Sequence, residues 1–372
     1  MRLHSLKIIG CESRNSAIDI MRAIAILGVV VFHYDNSLPY GYLGVDLFFV
    51  ISGFLISGLL TRKFIDNERI SFWQFFLQRG FKILPSYFAF LLIGYILVFY
   101  FYRYWDPSQL MEASEWKKYI FFYKNFSMRP VHTTFDQSWS LCVEEHFYLV
   151  LPLTFIVLQF SGGGKKQLFG LTSLAIVGGI TCKIISFYYS PSGDTAFKTY
   201  NRMDGLAWGM LLNLIMLFYP DIIHRIRKPL YLFFGGLFFL ITIIILDINL
   251  NSIFFHKVVL LSLAPFLFFL MMLGIYSYDF SKLLALRFIA YYSYNWYLWH
   301  AVFGLIIMRY FGKGVSGLMI YITVTFTVAM FFTILVEEPF LKLRKKLFTI
   351  LSRPATPEIK LKLSNSSKTV SG

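Results

Sequence analysis

The chain has 372 residues, of which 57% are hydrophobic and only 15% are charged, and its mean hydropathy is +0.62. Soluble globular proteins carry about a quarter charged residues and interrupt their apolar patterns, whereas the apolar residues here fall in long blocks. A soluble globular protein is therefore excluded. The net charge of +15 comes from basic residues between the blocks, which indicates membrane orientation rather than nucleic-acid binding.

Blocks of about 20 largely apolar residues, the length that a helix needs to cross a bilayer, recur along the chain. The first follows a basic N-terminus like a signal peptide, but no small-residue cleavage site comes after it, so we predict an uncleaved span. The pattern predicts an all-α integral membrane protein with ten spans, at 17–35, 43–61, 83–103, 139–159, 168–188, 205–219, 230–247, 257–276, 287–309 and 315–336.

The predicted organisation is a cytoplasmic N-terminal segment over 1–15, a transmembrane domain over 16–341 and a basic, disordered cytoplasmic tail over 342–372 that meets anionic lipid. With ten spans both termini share one side. If that side is the cytoplasm, the inside segments hold 23 lysines and arginines and the outside segments hold 10. The positive-inside rule therefore favours cytoplasmic termini.

Ionisable side chains inside spans are costly and usually functional. Arg22 and His33 share the first span and lie eleven residues apart, about three helical turns, so both project from one face roughly 16 Å apart along the axis. Depth alone predicts two levels of charge. The outer level groups His33, Asp46, Glu144 and Glu145, and the inner level groups Arg22, Arg79 and Lys82.

Each of these residues also has a purely structural interpretation. His33 could be an interfacial histidine, Arg79 and Lys82 could be membrane anchors, and Asp46 could cap its helix. The two glutamates could pair with an arginine. Taken together, the two levels fit a phosphorylated donor held by cations on one side and a general base on the other. They fit a proton-coupled transporter or a flippase equally well, and the residues alone leave this choice open.

Several segments resemble the acyltransferase-3 family of membrane O-acyltransferases. The first span reads IDIMRAIAILGVVVFHY, and the second reads GYLGVDLFFVISGFLISG, close to the family's G-V-D-x-F-F-V-I-S-G-F-L stretch. The later segments that match are RGFKILPSY, SWSLCVEEHFYLVLP, RMDGLAWGMLL, SYNWYLWH and VEEPF. The resemblance runs from about residue 16 to residue 341.

The resemblance implies transfer of an acyl group, most commonly acetyl, from cytoplasmic acyl-CoA to a saccharide or lipid-linked glycan hydroxyl outside the inner membrane. The acceptor would be an O-antigen of lipopolysaccharide, a capsule or an exopolysaccharide. It implies no bound cofactor, no metal and no nucleic acid. His33 would be the base, supported by Asp46, Glu144 and Glu145. The donor's phosphates would be held by Arg79, Lys82 and Arg22, and the substrate would meet Arg202, Asp204, Trp299 and His300, with Tyr297 in the same cavity wall.

The chain departs from the family pattern at two positions. Lys82 stands where the family usually has a second arginine, which keeps the cation but loses the planar fork that binds phosphate through two hydrogen bonds. His146 replaces the usual glutamine. The cysteines Cys11, Cys142 and Cys182 lack metal-ligand spacing and are predicted to be free thiols.

Overall fold

The computed structural model describes residues 14–351 except 35, 105, 111, 113, 128–133, 192, 194 and 222–228. The predicted segment 1–15 therefore lies mostly outside the described residues, as do Cys11 and residues 352–372 of the tail. The described residues form helices and no strands, which confirms the all-α prediction. The helices are α1 Ser16–His33, α2 Gly44–Ile65, α3 Phe72–Tyr102, α4 Trp116–Ile120, α5 Trp139–Phe160, α6 Lys165–Tyr189, α7 Met203–Phe218, α8 Leu230–Leu250, α9 Leu261–Ile275, α10 Leu284–Phe311, α11 Val315–Phe332 and α12 Glu338–Leu351.

Each predicted span lies on one of these helices, and eight helical segments of the described chain are long and apolar enough to cross a membrane. The two others are α7, which has only 16 residues, and α10, whose 28 residues include Arg287, Asn295 and His300. The structure thus shows a multi-pass membrane protein, while the count of ten crossings stays a prediction. Large apolar side chains such as Leu174 of α6 and Phe238 of α8 are exposed on the outside, as contact with lipid requires.

The last helices differ from the predicted tail. A π-helical turn, Thr333–Glu337, joins α11 to α12, and α12 continues to Leu351. Residues 342–351, which were expected to belong to a disordered tail, are therefore helical. The basic residues of this stretch are compatible with a helix because lysine and arginine are good helix formers.

Helices α2 and α7 pack with their backbones in direct contact. A Cβ atom added at Gly53 would lie 1.9 Å from the carbonyl oxygen of Leu206, and one added at Gly209 would lie 2.0 Å from that of Val50. Small residues allow this close approach between membrane helices, where dispersion contacts replace the hydrophobic effect. Side chains of α1, α5 and α10 complete the largest buried cluster around this pair.

Candidate functional site

Three cavities follow one another through the helix bundle. The basal cavity, about 650 Å³, lies at the N-terminal end of α1 and is lined by Arg14 and Arg62. The central cavity, about 130 Å³, shares Arg22 and Leu55 with it. The histidine cavity, about 610 Å³, lies at the C-terminal end of α1 and shares Val45 and Tyr297 with the central cavity. Because neighbouring cavities share lining residues, the three cavities form a continuous series from one end of the bundle to the other.

The central cavity brings together the three predicted cations. Arg22, Arg79 and Lys82 all line it, with Glu144. Arg22 donates to Ser293 Oγ at 3.2 Å, and Arg79 donates to the Tyr148 hydroxyl at 3.0 Å. The Nε atom of each guanidinium has no hydrogen-bond partner among the described residues. Buried donors without partners are costly, so both arginines have capacity for an anionic ligand.

Lys82 is the least available of these cations. Its Nζ pairs with Glu337, whose other carboxylate oxygen accepts from Asn295 Nδ2 at 2.9 Å. Glu337 belongs to the VEEPF segment, for which the sequence predicted no role. Its position directly after the last apolar block, where a buried carboxylate needs a partner, was the signal that could have found it.

Glu144 lies in the central cavity and not beside His33, where its depth in the sequence had placed it. Its carboxylate accepts from Tyr148 at 2.6 Å and from Ser52 at 3.2 Å. The physical reason is rotation about the α5 axis, because depth along a helix does not fix which neighbour a side chain faces. Glu145, the next residue, is buried and lines none of the three cavities.

His33 ends α1 and lines the histidine cavity. Its Nδ1 lies 2.8 Å from the carbonyl oxygen of Val29. A carbonyl can only accept, so Nδ1 carries the proton in the neutral ring, and the lone pair on Nε2 is left to act as a base. The His300 ring packs edge-on against it, with centroids 4.8 Å apart.

Asp46 does not contact His33 in the described structure. It forms a buried ion pair with Arg202, with 2.7 Å between Oδ1 and Nη1. Arg202 also lines the histidine cavity. This arrangement differs from the expected support of the imidazole by Asp46, because the guanidinium of Arg202, the residue that precedes α7, reaches the carboxylate and neutralises it.

Asp204 pairs with Lys183, which sequence reasoning missed. Their charged atoms lie 2.5 Å apart, and both side chains are buried. Lys183 Nζ also donates to the carbonyl oxygen of Leu261 at 2.7 Å. A single lysine inside the apolar stretch of α6 was a signal for such a partner. The pair ties α6, α7 and α9 together and lies behind the cavity wall.

The predicted substrate residues of α10 lie in the core. Trp299 is fully buried and stacks on Phe332, with ring centroids 4.0 Å apart. His300 is also fully buried, and its Nδ1 lies 2.7 Å from the Tyr297 carbonyl. Neither lines any of the three cavities, so neither side chain faces the space in which a substrate could bind.

Tyr297 separates the central cavity from the histidine cavity. Its hydroxyl donates to the carbonyl oxygen of Gln137 at 2.6 Å and lies 2.7 Å from Ser140 Oγ. The histidine cavity beyond it is lined by aromatic and hydrogen-bonding side chains that include Tyr42 and Trp139. In the part of the chain that the structure describes, no group of three or more His, Cys, Asp or Glu side chains could hold a metal ion.

Comparisons with known proteins identify the family of this chain. The family model described as an acyltransferase domain, Acyl_transf_3, matches residues 15–337. The O-acetyltransferase OatA of Staphylococcus aureus, in strains NCTC 8325 / PS 47 and COL, is 26% identical over 365 residues, covering 90% of this chain and 58% of the relative. The chain thus spans little more than half the length of these relatives, and no solved structure matches it significantly. The match over most of the chain shows that this protein belongs to the acyltransferase-3 family of membrane acyltransferases.

Proposed function

We propose that the protein is a membrane O-acetyltransferase that moves an acetyl group from acetyl-CoA to a hydroxyl of a saccharide. The observation that carries this proposal is the contact between two chemically different cavities. Arginines line the central cavity, a histidine base lines the next one, and only Val45 and Tyr297 are common to both. A donor and an acceptor held on either side of this wall could meet there.

The donor would occupy the basal and central cavities. The central cavity, about 130 Å³, is smaller than usual ligand sites, which range from about 300 to 1,000 Å³, so it suits an acetyl thioester rather than a nucleotide. The basal cavity, about 650 Å³ and lined by Arg14 and Arg62, has room for the anionic part of the donor. Arg22 lines both cavities and would hold a phosphate between them.

The chemistry would take place at His33. Its Nε2 would remove the proton from the acceptor hydroxyl as the oxygen attacks the thioester carbonyl. The C–S bond then breaks, the sulfur leaves as a thiolate and takes up a proton, and the products are the O-acetyl ester and CoA. The hydrogen bond from Nδ1 to Val29 fixes the tautomer that this step requires.

The proposed orientation puts the donor in the cytoplasm and the acceptor beyond the inner membrane. The excess of basic residues in the segments assigned to the inside supports this orientation. It places both termini in the cytoplasm and the histidine cavity at the outer face. The acceptor would be a surface glycan, such as an O-antigen, a capsule or an exopolysaccharide.

The experiment compares the surface glycan of cells with and without the gene. Ester-linked acetate is released by mild base and quantified, and the glycan is examined by mass spectrometry and NMR. We expect O-acetyl groups only in cells with the gene. Identical O-acetylation in both, with the protein present in membranes, would overturn the proposal.

A second experiment tests the cations of the central cavity. Arg79→Ala should raise the KM for acetyl-CoA, because Arg79 has an unpartnered Nε in this cavity. Tyr148→Phe is the matched control, since it removes the hydroxyl bonded to Arg79 but keeps the ring on which the guanidinium stacks at 4.7 Å. Lys82→Arg should retain activity or raise it. An unchanged KM for acetyl-CoA in Arg79→Ala would indicate that Arg79 and Lys82 serve only as membrane anchors.

A further inference from the structure

A second histidine, His256, faces the same cavity as His33. It lies on the π-helical turn Phe255–Leu260 that precedes α9. Such turns are rare and are frequently found at functional sites. The His256 side chain is 42% exposed, so it is open to the cavity rather than packed into the core as His300 is.

A buried carboxylate holds His256 in place. Oδ2 of Asp247 lies 2.7 Å from Nδ1 of His256 and also accepts from the Tyr40 hydroxyl at 2.8 Å. Burial and the hydrogen bond to Asp247 raise the pKa of Tyr40 to about 12, so the hydroxyl stays protonated and keeps donating. An aspartate near the end of the apolar helix α8 is costly unless it has such partners.

His33 and His256 are therefore supported differently. Nδ1 of His33 meets a neutral backbone carbonyl, whereas Nδ1 of His256 meets a carboxylate. The carboxylate accepts a hydrogen bond from Nδ1 of His256 and fixes the orientation of the ring, which leaves Nε2 to hydrogen-bond a ligand, while His33 is set up to accept a proton. Neighbouring groups in contrasting environments commonly divide the roles of a site. Among the residues that the structure describes, Nε2 of His256 has only a long contact, 3.4 Å, to the Tyr42 hydroxyl.

We propose that His256, positioned by Asp247 and Tyr40, binds a second hydroxyl of the acceptor saccharide while His33 acts on the reacting one. This inference rests on the proposed function. It specifies the acceptor class as a polyhydroxylated sugar bridging two histidines of one cavity. His256 touches the substrate and serves its binding, and Asp247 acts only through His256 as a positioning residue.

The test uses the full chain purified in detergent, with acetyl-CoA and the host's own surface glycan from which mild base has removed the esters. Two rates are measured: acetyl transfer to the glycan, and CoA release without glycan. His256→Ala should raise the KM for glycan about tenfold, the value of roughly one good hydrogen bond. Its kcat and its glycan-free CoA release should stay within about threefold of the wild type.

Two further variants and a control complete the design. Asp247→Asn should raise the same KM less, because the ring remains but is held less firmly. His256→Gln covers the case in which the alanine variant fails to accumulate, and it should also raise the KM. His146→Gln is the control, because His146 bonds Thr199 at 2.7 Å and lines none of the three cavities.

The outcomes separate the two proposals. A wild type that transfers no acetyl to the glycan would sink the proposed function and this inference with it. An active wild type, with a His256→Gln variant that accumulates and keeps the wild-type KM, would overturn this inference alone. An equal loss of glycan-free CoA release would also overturn it, because that result would place His256 on the donor side.

Discussion

Replacing His33 with alanine should remove activity without unfolding the protein. His33 is the last residue of α1, and the one hydrogen bond that its side chain makes in the described structure runs from Nδ1 to the carbonyl oxygen of Val29. One such bond contributes about 0.5–1.5 kcal/mol net, which is small against the roughly 5–15 kcal/mol of a typical domain. The thermal midpoint of His33→Ala should therefore fall by only a few degrees.

The effect on the reaction should be much larger. Loss of a positioned general base costs about 10²–10⁴ in rate, which corresponds to roughly 2.7–5.4 kcal/mol of activation free energy. His33→Gln should be no better than alanine, because a neutral amide is polar but cannot take the proton. The gap between a small loss of stability and a large loss of rate is what distinguishes a base from a structural histidine.

The assay follows radiolabelled acetyl from acetyl-CoA into de-O-acetylated glycan, with a thermal scan of each variant in detergent. His146→Gln controls for the loss of any histidine and should retain a rate near that of the wild type. A His33→Ala rate within tenfold of the wild type, at normal stability, would refute the assignment of His33 as the base.

Three other outcomes are expected. Tyr297→Ala should join the two cavities it separates, so acetate release from acetyl-CoA without glycan should rise relative to transfer; an unchanged ratio would argue against Tyr297 as the partition. Lys183→Met should destabilise the protein by about 3–5 kcal/mol, because it leaves Asp204 buried and unpaired, and the double variant with Asp204→Asn should recover most of the thermal midpoint. Reporter fusions at Gly164 and Ser127 should give opposite topology signals, and equal signals would contradict the ten-span arrangement.

The sequence was sufficient to predict the long apolar helices, because the hydropathy signal for each one is local, but it missed the short helix α4 and the part of α12 beyond residue 341. A block of about 20 apolar residues has few alternatives to a membrane helix, and the spans predicted at 17–35 and 168–188 match α1 and α6 closely. The exceptions have local reasons as well. The 16 residues of α7 are short for a crossing, and Arg287, Asn295 and His300 of α10 are buried against other helices rather than exposed to lipid.

The pairing of charges could not be predicted in the same way. Hydropathy gives the depth of a residue but not its rotation about the helix axis, so Glu144 was placed at the level of His33 and lies in the central cavity instead. Asp46 pairs with Arg202, which is 156 positions away along the chain. No local sequence pattern around either residue predicts that the other is its partner. Only the packing of α2 against α7 selects that partner.

The close contact of α2 with α7 has a mechanical consequence. Backbone atoms of α2 and α7 meet at Gly53 and Gly209 without intervening side chains. Neither helix can therefore shift or rotate against the other without a steric clash, and we expect the two to move as one rigid unit. Val45 of α2 lines both the central cavity and the histidine cavity, and Arg202, the residue before α7, lines the histidine cavity. The α2–α7 pair thus forms one rigid side of the boundary between the central and histidine cavities, opposite Tyr297 of α10. A rigid boundary is what the proposed transfer between two fixed cavities requires, whereas a transport cycle requires two halves of the bundle to move against each other.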